Sequence, residues 1–320
     1  MRTGCGAVAV CLAAGAVVAA GGGGDAPAAE VRLGRLEAHV RALSGVRHAV
    51  ADYEELEKRG EYIEKALSAS GLTVESRKVV YNGRTYRNIV GVLQGSDPAR
   101  PRLLLGAHYD GFRGTPGADD NASGVAAMLE AAQALAVQPL KTTVEFVAFT
   151  LEERQHRPVD LIRRGSKAYA SDARKRGVAY EAAIILECVG FTSSRQKGGM
   201  LARALGIRSR EQGDFLAVVA DTRSAAVMDS FLRSAATVAP GLPVVPAKLV
   251  LSGYLLPEAR LSDHSSFWEN GYPALMLTDT AMLRNPNYHR KTDTPETLDY
   301  HFLGEVTRGV VGFVRDTASR

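Results

Sequence analysis

Thr143-Val144-Glu145-Phe146-Val147-Ala148-Phe149-Thr150-Leu151-Glu152-Glu153 is an apolar run that ends in two adjacent glutamates. Over Val144–Leu151 it reads as apolar on both faces, the pattern of a central strand covered on each side. Arg102–Gly106, Ala182–Leu186 and Ala274–Leu277 read as short buried strands of the same kind. Leu72–Val80 and Thr85–Gln94 read as two strands joined around Asn82-Gly83, a hairpin signal. Val31–Leu43 and Ala51–Ser70 show helical spacing, the second with Leu56, Ile63 and Leu67 on one face and Gly71 as its stop. Gly124–Ala136 reads as a small-residue helix ended before Pro139. Strands alternating with helices predict an α/β sandwich with a mixed, mainly parallel sheet and helices on both faces. In such sheets sites gather beyond the carboxyl ends of strands. His108, Glu152 and Glu187 each fall just after a strand-like run.

The 320 residues are 46% hydrophobic and 23% charged, ordinary values for a globular chain. A net charge of +4 with no long basic run argues against nucleic-acid binding. Arg2 followed by apolar, small-residue Ala7–Ala20 reads as an export signal, with Val18-Ala19-Ala20 and Ala26-Pro27-Ala28 as cleavage sites. The run is too short and too rich in alanine and glycine for a membrane span. A lipid anchor is the weaker reading, because Val10 precedes Cys11 where a small residue is required. The expected organisation is a signal and linker over residues 1–28 and one catalytic domain over 29–320, secreted or periplasmic. Removing Cys5 and Cys11 would leave Cys188 alone, a small buried hydrophobe with no disulfide partner. Gly190–Gly213 is polar and basic and reads as a surface loop.

The candidate chemistry lies in five stretches. In His108-Tyr109-Asp110 a carboxylate stands two residues from an imidazole, a spacing that suits a metal-bound histidine whose other ring nitrogen is hydrogen-bonded. A strand-end histidine near a turn aspartate is the plainer alternative. Gly117–Gly124 opens a helix, so capping by Asp119, Asp120, Asn121 or Ser123 competes with a role for Asp120 as a carboxylate between two cations. Glu152-Glu153 is the strongest local signal, since two like charges at a buried strand end are costly unless a cation or proton compensates. Glu187 ends the apolar run Ala183–Leu186 and needs a partner for the same reason. Tyr288-His289 sits in a loop rich in Asn and Pro, before Asp293.

Taken together and in order, Gly106–Asp110, Gly117–Gly124, Phe149–Glu153, Leu186–Gly190, Ser262–Phe267 and Asn285–Asp293 with Thr294-Pro295-Glu296 resemble the co-catalytic zinc exopeptidases of peptidase clan MH. That group includes secreted bacterial aminopeptidases, glutamate carboxypeptidase II and the glutaminyl cyclases. The resemblance implies a three-layer sandwich of the phosphorylase/hydrolase type and two Zn²⁺, with Co²⁺ or Mn²⁺ as substitutes. It implies that His108 and Glu187 hold one ion, Glu153 and His289 the other, and that Asp120 bridges them. It makes Glu152 the general base, Asp110 the group that orients His108, and Tyr288 a hydroxyl donor to the developing oxyanion. A cis peptide after Asp120 is also implied. His264 matches a hallmark near the site that is not a ligand, and His39, His48, His156 and His301 match no ligand and read as surface histidines.

The implied activity is peptide-bond hydrolysis, as an aminopeptidase acting on a peptide substrate. Two departures stand out. Most relatives have aspartate where this chain has Glu187, whose arm is longer by about 1.5 Å. Arg154–Arg164 also intervenes between Glu153 and Gly165-Ser166. Two other readings remain: a glutaminyl cyclase, which works with one zinc, and a non-catalytic binding ectodomain of the same fold. No Gly-x-Ser-x-Gly elbow supports a serine hydrolase.

Overall fold

The computed structural model describes residues 31–154, 163–195 and 212–320. The expected export signal, Cys5, Cys11, His156, and most of both Arg154–Arg164 and Gly190–Gly213 lie outside them. The strands are β1 (Thr73–Tyr81), β2 (Arg84–Leu93), β3 (Arg102–His108), β4 (Val144–Phe149), β5 (Tyr180–Leu186), β6 (Leu216–Asp221), β7 (Val244–Leu249) and β8 (Ala274–Thr278). They form one sheet in the order β1-β2-β4-β3-β5-β8-β6-β7. The central β4, β3, β5 and β8 run parallel. The β1–β2 and β2–β4 pairs are antiparallel. Strand β6 is antiparallel to β8 and parallel to β7. The expected mixed α/β sheet is therefore present.

The helices are α1 (Leu33–Leu43), α2 (Tyr53–Ala69), α3 (Gly124–Ala136), α4 (Arg164–Lys175), α5 (Ala225–Val238), α6 (His264–Glu269) and α7 (Tyr300–Ser319). Side chains alternate across a strand, and here both faces are apolar. Leu103 and Leu105 of β3, Phe146 of β4 and Ile184 of β5 pack with residues of α1, α2, α3, α5 and α7. Leu104, Val147 and Ile185 face the other way, onto Ala170 and Ala173 of α4 and Phe267 and Trp268 of α6. The result is three layers. Every residue of α3 except Gln133 and Ala136 is buried, which its small side chains permit. Its Glu130 is neutralised by both arms of Arg35, at 2.7 and 2.8 Å.

Several details depart from the periodicity reading. The strand expected over Val144–Leu151 ends at Phe149; Leu151 adopts φ 54° and turns the chain so that both glutamates leave the sheet together. Glu145 is buried inside β4, where Arg102, Tyr169 and Tyr180 all donate to its carboxylate. Leu216–Asp221, Val244–Leu249, Ala225–Val238 and Tyr300–Ser319, to which no element had been assigned, are β6, β7, α5 and α7. The Asn82-Gly83 hairpin is present, with both residues at positive φ (48° and 74°), as a type I′ turn requires. Among the described residues no helix is long and apolar enough to cross a membrane.

Candidate metal centre

Parallel β3, β4 and β5 end side by side, and the residue or pair after each carries the chemistry. His108 closes β3, Glu152 and Glu153 follow β4, and Glu187 follows β5. Asp120 lies in the wide turn Ala118–Ser123 that opens α3, and His289 lies between β8 and α7. The fold brings all six together, with their neighbours Asp110 and Tyr288.

Two clusters form around one shared carboxylate. His108 Nε2 lies 3.2 Å from Asp120 Oδ1 and 3.5 Å from Glu187 Oε2. His289 Nε2 lies 3.0 Å from Asp120 Oδ2 and 3.2 Å from Glu153 Oε1. Within each cluster the three donor atoms lie within 4.8 Å of one another. Both imidazole Nε2 atoms and Asp120 Oδ2 are buried and lack a hydrogen bond, which is costly for polar atoms with no other partner. Ligands held tetrahedrally at about 2.1 Å from a zinc ion are themselves about 3.4 Å apart, close to the separations found here. The residues present therefore fit two metal ions bound through oxygen and imidazole nitrogen.

The electrostatics point the same way. Burial pushes Glu152 well above the usual carboxylate range, helped by Glu187, Asp263 and Glu153. Burial and the Asp120 charge push Glu153 up to about 7. Burial likewise pushes Asp263 up to about 7. Burial alone would lower both histidines. For His108 the carboxylates of Glu187 and Glu152 more than offset it, and for His289 Asp120 and Glu153 do so, raising it to about 10. Burial disfavours the Asp120 charge too, yet the two imidazoles hold that group far below its ordinary value. Negative charge is in excess, and a cation relieves it.

The supporting contacts explain the placement. A carbonyl only accepts, so His108 Nδ1 donates to the Asp110 carbonyl at 3.1 Å, leaving Nε2 to face Asp120 and Glu187. The Asp110 carboxylate is 3.7 Å from that ring. Its two oxygens instead accept the backbone N–H groups of Glu152 (3.0 Å) and Glu153 (3.1 Å). Asp110 thus meets the His108 ring through its carbonyl and, at longer range, its carboxylate, and the same carboxylate clamps the glutamate pair. Asp293 accepts from the backbone of Asp119 and Asp120. Asn121, after the cis Asp120-Asn121 bond, donates to Leu186 O and accepts from Cys188 N. The Asn121 side chain also accepts from Gly124 N, so one residue caps α3 and ties its start to β5. Ser262 donates to Glu187 Oε2 at 2.7 Å, fixing the longer glutamate arm.

Some participants were not visible in the linear pattern. Phe112 stacks on one face of the His289 ring, opposite the expected Tyr288 on the other, each with its ring 3.9 Å from the imidazole. Arg47 is fully buried and donates to the carbonyls of Tyr109, Pro116 and Gly117, holding together the loop that carries Asp110 and Asp120. Asp263 is buried beside the centre. Nothing local marks these positions; only the neighbouring Ser262-Asp263-His264 motif offered a signal. Of the histidines read as surface residues, His48 is instead buried, its Nδ1 accepting from Ala51 N as the chain folds under the loop after β3. His39 is half-buried against Tyr62, and His301 is exposed. His264 is buried, bonded to Ala259 O and packed on Trp268, and belongs to neither cluster. Cys188 is buried, and burial pushes its thiol well up.

A cleft of about 360 Å³ opens beside the clusters. Glu152, Glu153, Glu187, His289 and Tyr288 line it at one end, and Ala217, Val219, Leu261 and Met276 form an apolar wall. Residues 88–314 match the model of Peptidase family M28. The chain belongs to peptidase family M28. It is 33% identical over 288 residues to the uncharacterized protein YfbL of Escherichia coli, covering 87% of this chain and 86% of that one. It is 26% identical to leucine aminopeptidase 1 of Trichophyton equinum, covering 80% of this chain and 65% of that longer relative. The M28 fold is shared with the Legionella pneumophila LapA aminopeptidase at 17% identity and a TM-score of 0.70, covering 91% of this chain and 73% of that one. It is shared equally with Porphyromonas gingivalis glutaminyl cyclase at 19% identity and a TM-score of 0.69, covering 90% of this chain and 99% of that one.

Proposed function

We propose that this M28 chain is a metallo-exopeptidase that hydrolyses the first peptide bond of its substrate, with two zinc ions in the centre described above. The observation that carries the reading is the divided Asp120 carboxylate, one oxygen toward His108 and the other toward His289. His108, Asp120 and Glu187 would hold one ion, and Asp120, Glu153 and His289 the other; Co²⁺ or Mn²⁺ would suit the same donors. When bound, such ions polarise a scissile carbonyl and lower the pKa of water from 15.7 toward about 7.

The chain's own residues do the rest. Glu152 takes a proton from the attacking water on its carboxylate and returns it to the leaving amine. Burial, which lifts this carboxylate's pKa, favours the protonated form that the second transfer needs. The Tyr288 hydroxyl is kept protonated by burial and serves as a donor to the developing oxyanion. Asp110 keeps both glutamates in register through their backbone. The apolar wall of Ala217, Val219, Leu261 and Met276 suits an uncharged substrate side chain. Residues 1–28 would direct export, leaving one catalytic domain over 29–320, which N-terminal sequencing of exported protein checks.

The test is metal analysis of the mature protein together with a fluorogenic amino-acid panel, with and without chelator. Two ions per chain and chelator-sensitive release of an apolar N-terminal residue are expected. One ion per chain with pyroglutamate as the product would replace the reading with a glutaminyl cyclase. A chain that takes up no divalent ion would leave only the non-catalytic alternative.

A further inference from the structure

The segment Val250–Asp263, between β7 and α6, borders two cavities. Its Glu258, Ala259, Leu261 and Ser262 border the catalytic cleft. Its Ser252, Tyr254 and Arg260 line a separate surface depression of about 460 Å³, together with Arg174 and Arg223. Arg174 lies near the end of α4 and Arg223 just beyond β6.

This depression is rich in cations and short of carboxylates. Glu269 is shared by Arg163 at 3.3 Å and Arg260 at 2.9 Å. Asp221 accepts from Arg223 at 3.3 Å. Arg174 is exposed, and its side chain makes no ion pair or hydrogen bond among the described residues. Four guanidinium groups thus meet two carboxylates. The neighbouring Lys167 responds to that field: burial lowers its pKa, and Arg163, Arg164 and Arg260 lower it further.

Two of the arginines are held in place before anything binds. Arg260, nearly buried, donates to Ser252 O and Glu269 and stacks over the Tyr254 ring at 4.0 Å. Arg223 donates to Trp268 O at 3.1 Å and Ser252 Oγ at 3.3 Å. Guanidinium forks match the paired oxygens of phosphate and carboxylate, and a site already organised spends little entropy on closing.

We propose that Arg174, Arg223 and Arg260 form a binding site for a small multivalent oxyanion of the phosphate or polycarboxylate class. Arg223 and Arg260 supply fixed donors from the floor, and Arg174 closes from the rim. The site is separate from the metal centre, so its failure leaves the peptidase reading untouched, and the reverse also holds.

The full chain is titrated by calorimetry with inorganic phosphate, and in parallel with citrate and a short polyglutamate peptide, at constant ionic strength. Saturable one-to-one binding of phosphate or citrate is expected, weakened by about tenfold or more in Arg174→Glu, which removes a charge-assisted contact. Arg174 is exposed and outside the catalytic cleft, so peptide hydrolysis and circular dichroism of that variant should match the parent chain. Phosphate captured in the catalytic cleft instead would bind Arg174→Glu and the parent equally and would overturn the proposal. So would heats no greater than those of matched sodium chloride, or binding of the polyglutamate peptide alone.

Discussion

The loops after β3, β4 and β5 and the segment after β7 both border the cleft, yet they are built in opposite ways. In the first, the charged side chains are buried and the backbone is tied by named contacts: Asp110 to Glu152 and Glu153, Asp293 to Asp119 and Asp120, Asn121 to Leu186. In the second, Val250, Leu251, Tyr254 and Leu255 are exposed, Leu251 and Ser252 sit at positive φ, and Arg260 is the main fastening. Chemistry that needs fixed donor positions is placed on rigid strand ends. The segment after β7 gives the apolar wall only Leu261, while Ala217, Val219 and Met276 stand on β6 and β8. Substitutions in the first region, or at Ser262 where the second touches Glu187, should therefore change turnover or metal affinity, and those at the exposed positions Val250–Leu255 should leave both alone.

The sharpest break would come from Glu152→Gln. Steady-state assays should show turnover lower by about 10²–10⁴-fold, the range for a lost general base, with both ions still bound. Turnover at the parent rate would remove Glu152 from the mechanism. Next is Gly165→Ala, at the latch between β4 and α4. A Cβ there would lie 2.1 Å from Thr150 O and 2.6 Å from Asn88 Oδ1. Neither can yield freely, because Gly165 N donates to Thr150 O and Asn88 bonds both sides. Denaturant unfolding should show a loss of about 3 kcal/mol.

Asp110→Asn should weaken metal affinity or activity by about 10–100-fold in a chelator competition. The amide offers one acceptor where two backbone N–H groups need two. Ser262→Ala removes the donor to Glu187 and should lower affinity at the His108 site by about tenfold, a single hydrogen bond to a charged group. At the small end, Leu255→Ser in the exposed segment should shift stability by no more than about 0.5 kcal/mol and leave kcat unchanged. A large fall in kcat there would erase the contrast between the two regions.

Much of the centre was legible because its carboxylates end strongly patterned elements. The run before Glu152 and the run before Glu187 each announce a buried strand, and a carboxylate closing such a run demands compensation. Gly124–Ala136 was legible over its full length because small residues leave few alternatives to close packing. β6 was missed although Leu216-Ala217-Val218-Val219-Ala220 is as apolar as β5, because a short apolar run does not say whether it joins the sheet. The Asp110 carboxylate lies 3.7 Å from the His108 ring, but its second role, accepting the backbone N–H groups of Glu152 and Glu153 beyond β4, had no signal in the sequence. Arg47 and Phe112 had no signal at all: their partners are carbonyls and a ring supplied by distant loops.

The chain's linear order alone put His108, Glu152 and Glu187 at the ends of strand-like runs and predicted the mixed α/β layer that carries them, because burial period and the cost of a stranded charge are local properties. Only the folded molecule decided which oxygen meets which nitrogen. That depends on strand order in the sheet, which brings positions as far apart as His108 and His289 onto the two sides of Asp120.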